Sequence, residues 1–275
     1  MNVKCLCHFI HLCSPYACLS LSKTLEDLAP NINAHFSRST SRREKYAKFQ
    51  KFFQCKALLI LTPAQTRRLS LQACIKRLIE YRVALTQYFT ETIFDDTTAT
   101  NDLILSTLQN KLTKPHLEFM DYSLGPSNEF NRAFQSKLYF LPSQKATVSK
   151  LVSDIASNFM KLDCIRSVGL FTNMDLYLSS EYMPLDQTYM GIDATDSMGE
   201  LVDAQEPSDN IDLFYQSCRK YYIVLIKQFY DRFKLADKIY EILALIEPRN
   251  VRILKPKSLR PLFTRFPFVR EKCCL

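Results

Sequence analysis

Glycine is scarce in this chain, with four residues among 275, whereas an average protein contains roughly 7%. Tight turns and hairpins use glycine where the backbone needs a positive φ, so this scarcity favours helices over sheets. Tryptophan is absent, which excludes an indole from any binding site. No uninterrupted apolar run reaches the roughly 18 residues of a membrane-spanning helix, so we expect no membrane partner. Because 47% of the residues are hydrophobic, we expect a packed core.

The sequence motifs of common enzymes are also missing. The chain contains no P-loop, no GxGxxG motif and no HExxH motif. The ten cysteines include Cys74, Cys164 and Cys218, which lie singly in apolar stretches, where a reduced thiol packs as a small hydrophobic group. This pattern is typical of a reducing compartment. We therefore predict no catalytic residues, no cofactor and no enzymatic activity.

Charge is segregated along the chain. Residues 38–82 contain twelve Lys or Arg residues and two acidic ones, whereas residues 171–218 contain ten Asp or Glu residues and no basic one. A block of like charge is often only the solvated face of a helix. In a chain of net charge +8, a basic block also suits a polyanion such as DNA. Both interpretations stay open at the level of sequence.

Apolar residues recur every three or four positions along most of the chain, which predicts amphipathic helices. We expect one helical domain over residues 1–275, with helices in residues 9–170 and 208–267. Residues 171–207 lack clear periodicity, and we expect an acidic loop there, either a surface excursion or disordered. The predicted helix from Ile211 to Phe233 carries an aromatic stripe that either packs in the core or docks a protein partner.

Three local features modify this helical prediction. Residues 57–62 form a short apolar run that indicates either a strand or an extended connector. Gly125 and Pro126 lie within a helical pattern and should break or kink it, because proline removes a donor and clashes with the preceding turn. A further stripe, on a helix whose other face is basic, consists of Tyr46, Phe49, Phe52 and Phe53.

Cysteine and histidine crowd together near the start of the chain. Cys5, Cys7, His8 and His11 are residue types that bind zinc, but no second pair follows at the distance found in zinc fingers. We therefore predict that no metal binds here. A secretion signal is also disfavoured, because histidines and Pro15 interrupt the apolar run and no clean cleavage site follows.

Several segments, in order, resemble the hAT superfamily of DNA transposases. The segment CLCHFIHLC is similar to the C-x-x-H motif of that family, with Cys5 and His8 in the motif positions. The segment TPAQTRRLSLQACIKRLIEYRVAL resembles the block usually written D-T-R-W-x-S before a long helix. EFNRAFQS, MPLDQTYMGI and LIKQFYDRF followed by ALIEPRNV are similar to later blocks. Together the similar blocks extend from about Lys4 to Pro267.

The resemblance implies a fold and a function. In such transposases a ribonuclease H-like core holds divalent metal with two aspartates and a glutamate, and a helical insertion follows the C-x-x-H motif. This chain would then be an all-α insertion domain, with residues 1–8 as a short strand remnant of the core and the catalytic acids outside Met1–Leu275. The resemblance also implies that the chain is catalytically incompetent and retains nucleic-acid binding. It implies a location in the nucleus, with the cytoplasm as the alternative. A helical protein-interaction scaffold and a non-functional fragment or truncated gene product are the alternatives.

The candidate DNA-contacting residues come from the basic block. Where the family has an Arg-Trp pair, with the tryptophan implicated in stacking on bases, this chain has Arg67 and Arg68. The members at positions 42 to 48 are expected on the helix face opposite the Tyr46, Phe49 and Phe53 stripe. The full predicted set is Arg38, Arg42, Arg43, Lys45, Lys48, Lys51, Arg67 and Arg68.

Overall fold

The computed structural model describes residues 6–56, 58, 70–95, 97–135, 144–167, 179–233, 240, 255 and 260–272. Over these residues the chain is mainly helical, as predicted, and they form no strand beyond one isolated antiparallel bridge between Met160 and Tyr182. The helices are α1 (Leu6–Cys18), α2 (Lys23–Ser37), α3 (Thr40–Phe52), α4 (Ser70–Thr92), α5 (Ala99–Gln109), α6 (Thr113–Gln135), α7 (Gln144–Ala156), α8 (Leu162–Ser167), α9 (Ile192–Asp203), α10 (Ser208–Phe233), α11 (Arg260–Arg265) and α12 (Pro267–Lys272). Two short 3-10 turns lie at Ser179–Glu181 and Leu185–Gln187.

The long helices α6 and α10 form the centre of the structure. Helix α6 packs against α1, α4 and α9, and α10 packs against α1 and α7. Ring contacts join the two: Phe119 of α6 lies 5.2 Å from the ring of Tyr221 and 5.3 Å from that of Tyr222, both on α10. All three side chains are buried within one continuous apolar cluster. Burial of each such side chain stabilises the fold by roughly 1.5–3 kcal/mol.

The aromatic stripe of α10 faces this core. Of the two roles that the sequence left open, core packing is the one that the structure shows. Tyr222, Phe229 and Phe233 of the stripe are at most about one hundredth exposed, as are Phe214 and Tyr221 beside it. Tyr215, also in the stripe, is partly buried and packs against the same core.

Helix α6 continues through Gly125 and Pro126, so the expected break is wrong. Glycine before proline has no Cβ to clash with the proline ring, which relaxes the usual restriction on that position. A side chain from α4 also bonds to this region: the Gln72 amide donates to the backbone carbonyl of Asp121 at 2.9 Å and accepts from Asn128 Nδ2 at 2.8 Å. The neighbouring helix therefore supports the turns on both sides of the proline.

The acidic segment is more ordered than its sequence indicates. The prediction of a loop over residues 171–207 is wrong for α9, which begins after Gly191. This helix rests on α6 through a narrow face that includes Ala194 and Met198. Most of its other positions are exposed and many are acidic, so the buried face is too narrow to give a clear apolar period.

The N-terminal remnant also differs from its prediction. Residues 6–8, expected at the edge of a strand, form the first turn of α1, and this helix continues through Pro15. Residues 1–5 lie outside the described part, as does the apolar run at 57–62 apart from Leu58. Among the helices that the structure describes, none combines the length and apolarity needed to span a bilayer.

Candidate nucleic-acid interface

Helix α3 carries most of the predicted DNA-contacting residues and is held firmly by its inner face. Its N-cap is Ser39, whose hydroxyl accepts from the backbone N–H of Arg42 at 3.3 Å. The ring of Tyr46 is fully buried, stacks on Phe36 of α2 at 4.7 Å and meets Tyr88 of α4 edge-on at 5.6 Å. These aromatic contacts fix the rotation of α3 about its axis and so decide which side chains point outward.

A buried polar network lies beneath this contact. The ring nitrogens of His35, in the last turn of α2, bond to Asn101 Oδ1 and to the Tyr88 hydroxyl, each at 3.0 Å. A neutral imidazole with its proton on Nδ1 satisfies both bonds, since Nδ1–H donates to Asn101 and the Tyr88 hydroxyl donates to Nε2. These hydrogen bonds join helices α2, α4 and α5 next to the start of α3.

Two of the predicted arginines make local contacts. Arg42 is half-buried, and its Nη1 donates to the backbone carbonyl of His35 at 3.2 Å. It therefore satisfies a carbonyl in the last turn of α2, and the expectation that it lies opposite the apolar stripe is wrong. Arg43 is exposed, and its Nη2 donates to the hydroxyl of Thr40 one turn earlier at 3.0 Å.

The remaining basic side chains point into solvent. Arg38, Lys48 and Lys51 are exposed and form no ion pair with any residue that the structure describes. Lys45 pairs with Asp95 at 3.4 Å, but both groups are more than half exposed, so the pair contributes little. We define the basic surface as Arg38, Arg43, Lys45, Lys48 and Lys51.

The other predicted site residues lie mostly outside the part of the chain that the structure describes. Arg67, Arg68 and Cys5 lie outside the described residues, and His8 is described only as part of the backbone of α1. In the described part of the chain, no group of three or more His, Cys, Asp and Glu residues is placed to hold a metal ion.

Two exposed phenylalanines near the basic surface were missed by the sequence analysis. Phe52, assigned there to the buried stripe, is 79% exposed, and Phe94 is 91% exposed. Helical geometry contained the signal for Phe52, because six positions beyond Tyr46 correspond to roughly 120° of rotation away from it. No comparable signal exists in the sequence for Phe94, which follows the end of α4.

A second buried histidine lies away from the basic surface, between α6 and α10. His116 Nδ1–H donates to the carbonyl of Leu112 at 2.7 Å, and its Nε2 lies 3.2 Å from the Ser217 hydroxyl. The single proton of that hydroxyl is given either to Nε2 or to the carbonyl of Phe214, which lies 2.7 Å away, and the ring of Phe214 meets the imidazole edge-on at 4.6 Å. Burial lowers the pKa of His116 to about 4. The pair therefore joins two helices within the core as neutral groups.

Comparison with known proteins finds no relative of this chain. No family model, no curated protein and no solved structure matches the chain. The resemblance to hAT transposases therefore stays a prediction.

Proposed function

We propose that this chain binds nucleic acid through the basic surface of α3 and performs no catalysis of its own. One observation carries the proposal: Lys48 and Lys51 extend into solvent with no ion pair to a described residue, from a helix fixed by the buried ring of Tyr46. Phosphate contacts from such side chains supply most of the affinity for nucleic acid that does not depend on sequence.

Repulsion within the basic surface favours this role over that of a merely solvated face. Lys45, Lys48 and Lys51 follow one another at intervals of three along α3, where side chains are neighbours. Like charges at such spacing destabilise a helix by a few tenths of a kcal/mol per pair. Asp95 offsets part of it at Lys45 and Glu44 is the one acidic residue in α3, so an external polyanion would relieve what remains.

The order of the hAT-like sequence blocks supports a more specific form of the proposal. In that form the chain is the insertion domain of a transposase-derived protein, acts in the nucleus and binds DNA. Retention of the chain in the cytoplasm would separate this specific form from the general one, which requires only a nucleic acid.

A charge-matched pair of variants tests the proposal. The surface variant carries Arg38→Gln, Lys48→Gln and Lys51→Gln. The control variant removes the same charge at exposed sites on α7, α8 and α10. Its substitutions are Lys150→Gln, Arg166→Gln and Lys220→Gln.

Binding of both variants to a labelled DNA duplex is measured by fluorescence anisotropy at about 50 mM salt. Since a single charge contact at a surface is worth roughly 1 kcal/mol, the surface variant should bind tenfold to hundredfold more weakly than the native chain. The control variant should lose much less. Equal losses would show that only net charge matters, and absence of binding by the native chain would refute the proposal.

A further inference from the structure

The two most exposed large apolar side chains among the described residues both border the basic surface. Phe52 is the last residue of α3 and is 79% exposed. Phe94 is 91% exposed and directly precedes Asp95, the ion-pair partner of Lys45. Aromatic rings beside a track of positive charge are the combination with which proteins hold unpaired bases.

We propose that the basic surface selects single-stranded nucleic acid, with an unpaired base stacked on the ring of Phe52. This inference rests on the proposed function, because it names the class of nucleic acid that the same surface takes. Stacking on an aromatic ring is worth roughly 1–3 kcal/mol per base and tolerates any base, since every base has a π-face.

The geometry of α3 places charge and ring in one row. Lys45, Lys48 and Phe52 occupy positions i, i+3 and i+7, which share a face of an α-helix, and all three are exposed. At 1.5 Å of rise per residue, Lys48 lies about 6 Å and Lys45 about 10 Å along the axis from Phe52. A strand that follows this row would contact the lysines through its phosphates and reach the ring with a base.

The position of Phe52 is set by its neighbour. Its ring meets that of Phe53 edge-on, with centroids 5.1 Å apart and planes at 84°, and Phe53 packs against the core. Phe53 therefore holds the Phe52 side chain in place, while most of the surface of the Phe52 ring stays exposed to solvent. In a duplex, base faces are covered by their stacked neighbours, so this ring would gain little from paired DNA.

Phe94 extends the same arrangement to the other end of the row. Lys45 is paired with Asp95, so the chain segment that carries Phe94 lies beside the Lys45 end, whereas Phe52 lies beyond Lys48. The lysine row is thus flanked by an aromatic residue at each end. We assign the main stacking role to Phe52, since it shares the helix with the lysines.

The test compares Phe52→Ala with Leu213→Ala, a control that truncates another exposed apolar side chain, on α10. Affinities are measured for an unstructured single strand of about 20 nucleotides and for a duplex of equal length. Phe52→Ala should weaken single-strand binding roughly fivefold to hundredfold and duplex binding less than about twofold. Leu213→Ala should change neither.

Phe52→Trp gives an independent readout, because the native chain contains no tryptophan. This variant should retain single-strand affinity, and its fluorescence should be quenched by the single strand more than by the duplex. An unquenched signal, or single-strand affinity unaffected by Phe52→Ala, would overturn the stacking role.

The outcomes separate this inference from the proposed function. If Phe52→Ala weakens both nucleic acids equally, the selection of single strands is wrong, while binding by the basic surface stands. If the native chain binds neither probe, both proposals fail. If the surface variant loses both probes and Phe52→Ala loses only the single strand, both proposals are supported.

Discussion

At the scale of the residue, Gly191 is the position where an added methyl group should cost most among the glycines that the structure describes. Its φ is +88°, a region that side chains rarely adopt. A Cβ here would lie 2.7 Å from Cβ and Cγ of Tyr122, and that tyrosine is tied to Asn158 through its hydroxyl at 3.0 Å. Gly191→Ala should therefore lower the free energy of unfolding by about 2 kcal/mol or more.

Gly199, inside the helix that Gly191 precedes, provides the matched control. A Cβ at this position meets nothing within 4 Å, and alanine is favoured over glycine inside a helix by roughly 0.5–1 kcal/mol. Gly199→Ala should leave stability unchanged or raise it when both variants are unfolded in urea. Similar losses in the two variants would contradict the close contact at Gly191.

His116 should make stability depend on pH. Burial lowers its pKa from 6.5 to about 4, so the unfolded chain binds more protons than the folded one between these values. The stability that the neutral imidazole contributes is complete above about pH 6.5 and is lost as the pH falls through 4. The free energy of unfolding should fall by about 3 kcal/mol over this range.

The variant His116→Gln isolates this effect in urea unfolding measured from pH 7 to pH 4. Glu118 acts in the opposite sense, because burial raises the pKa of its carboxyl, but it is common to both proteins. The native chain should lose stability more steeply than the variant as the pH falls. Parallel pH profiles would show that His116 is not the responsible group.

At the scale of the element, Gln72 links α4 to α6 around Pro126. Its amide bonds to the backbone carbonyl and to the carboxylate of Asp121 and to Asn128, at 2.8 to 2.9 Å. Gln72→Ala should lower the free energy of unfolding by about 2 kcal/mol, because it leaves half-buried polar groups without these bonds.

Gln87 on the same helix is the control for this substitution. It is exposed, and its amide bonds to Glu91 one turn later rather than to another helix. Gln87→Ala should change stability by less than about 0.5 kcal/mol. If the two alanine variants melt at the same temperature, Gln72 does not support the proline turn.

The sequence predicts those elements whose buried face is broad. The predicted helix from Ile211 to Phe233 is confirmed as part of α10. Continuation of α6 through Pro126 could not be predicted locally, because the supporting Gln72 lies 49 positions before its partner Asp121 in the chain. Helix α9 was not predicted, because too few of its residues contact α6 to give a visible apolar period in the sequence.

For the candidate site, the sequence predicts that α3 is a basic helix, but it predicts only in part which side chains of α3 face the core. The packing of Tyr46 against α2 and α4 decides that Arg42 turns inward to the carbonyl of His35 and Phe52 turns outward. The contact between Tyr46 and Tyr88 joins two helices that are far apart in the chain. A basic helix was therefore predictable, and so was the outward position of Phe52 from its spacing to Tyr46, whereas the bond of Arg42 to the carbonyl of His35 was not.

At the scale of the whole molecule, charge is distributed unevenly over the surface. The acidic segment is partly neutralised by lysines next to it: Lys111 pairs with Glu206 at 2.8 Å and Lys114 with Glu200 at 3.4 Å. The exposed lysines of α3 form no ion pair with a described residue, apart from that of Lys45 with Asp95. This asymmetry should orient an approaching polyanion toward α3.

The salt dependence of duplex binding tests whether the basic surface of α3 binds nucleic acid through phosphate contacts. Each phosphate contact contributes about 0.9 to the slope of log affinity against log salt concentration. The surface variant should therefore show a slope smaller than that of the native chain by about 2 to 3, while the control variant keeps the native slope. Identical slopes for all three proteins, or no binding by the native chain at about 50 mM salt, would contradict nucleic-acid binding by the basic surface of α3.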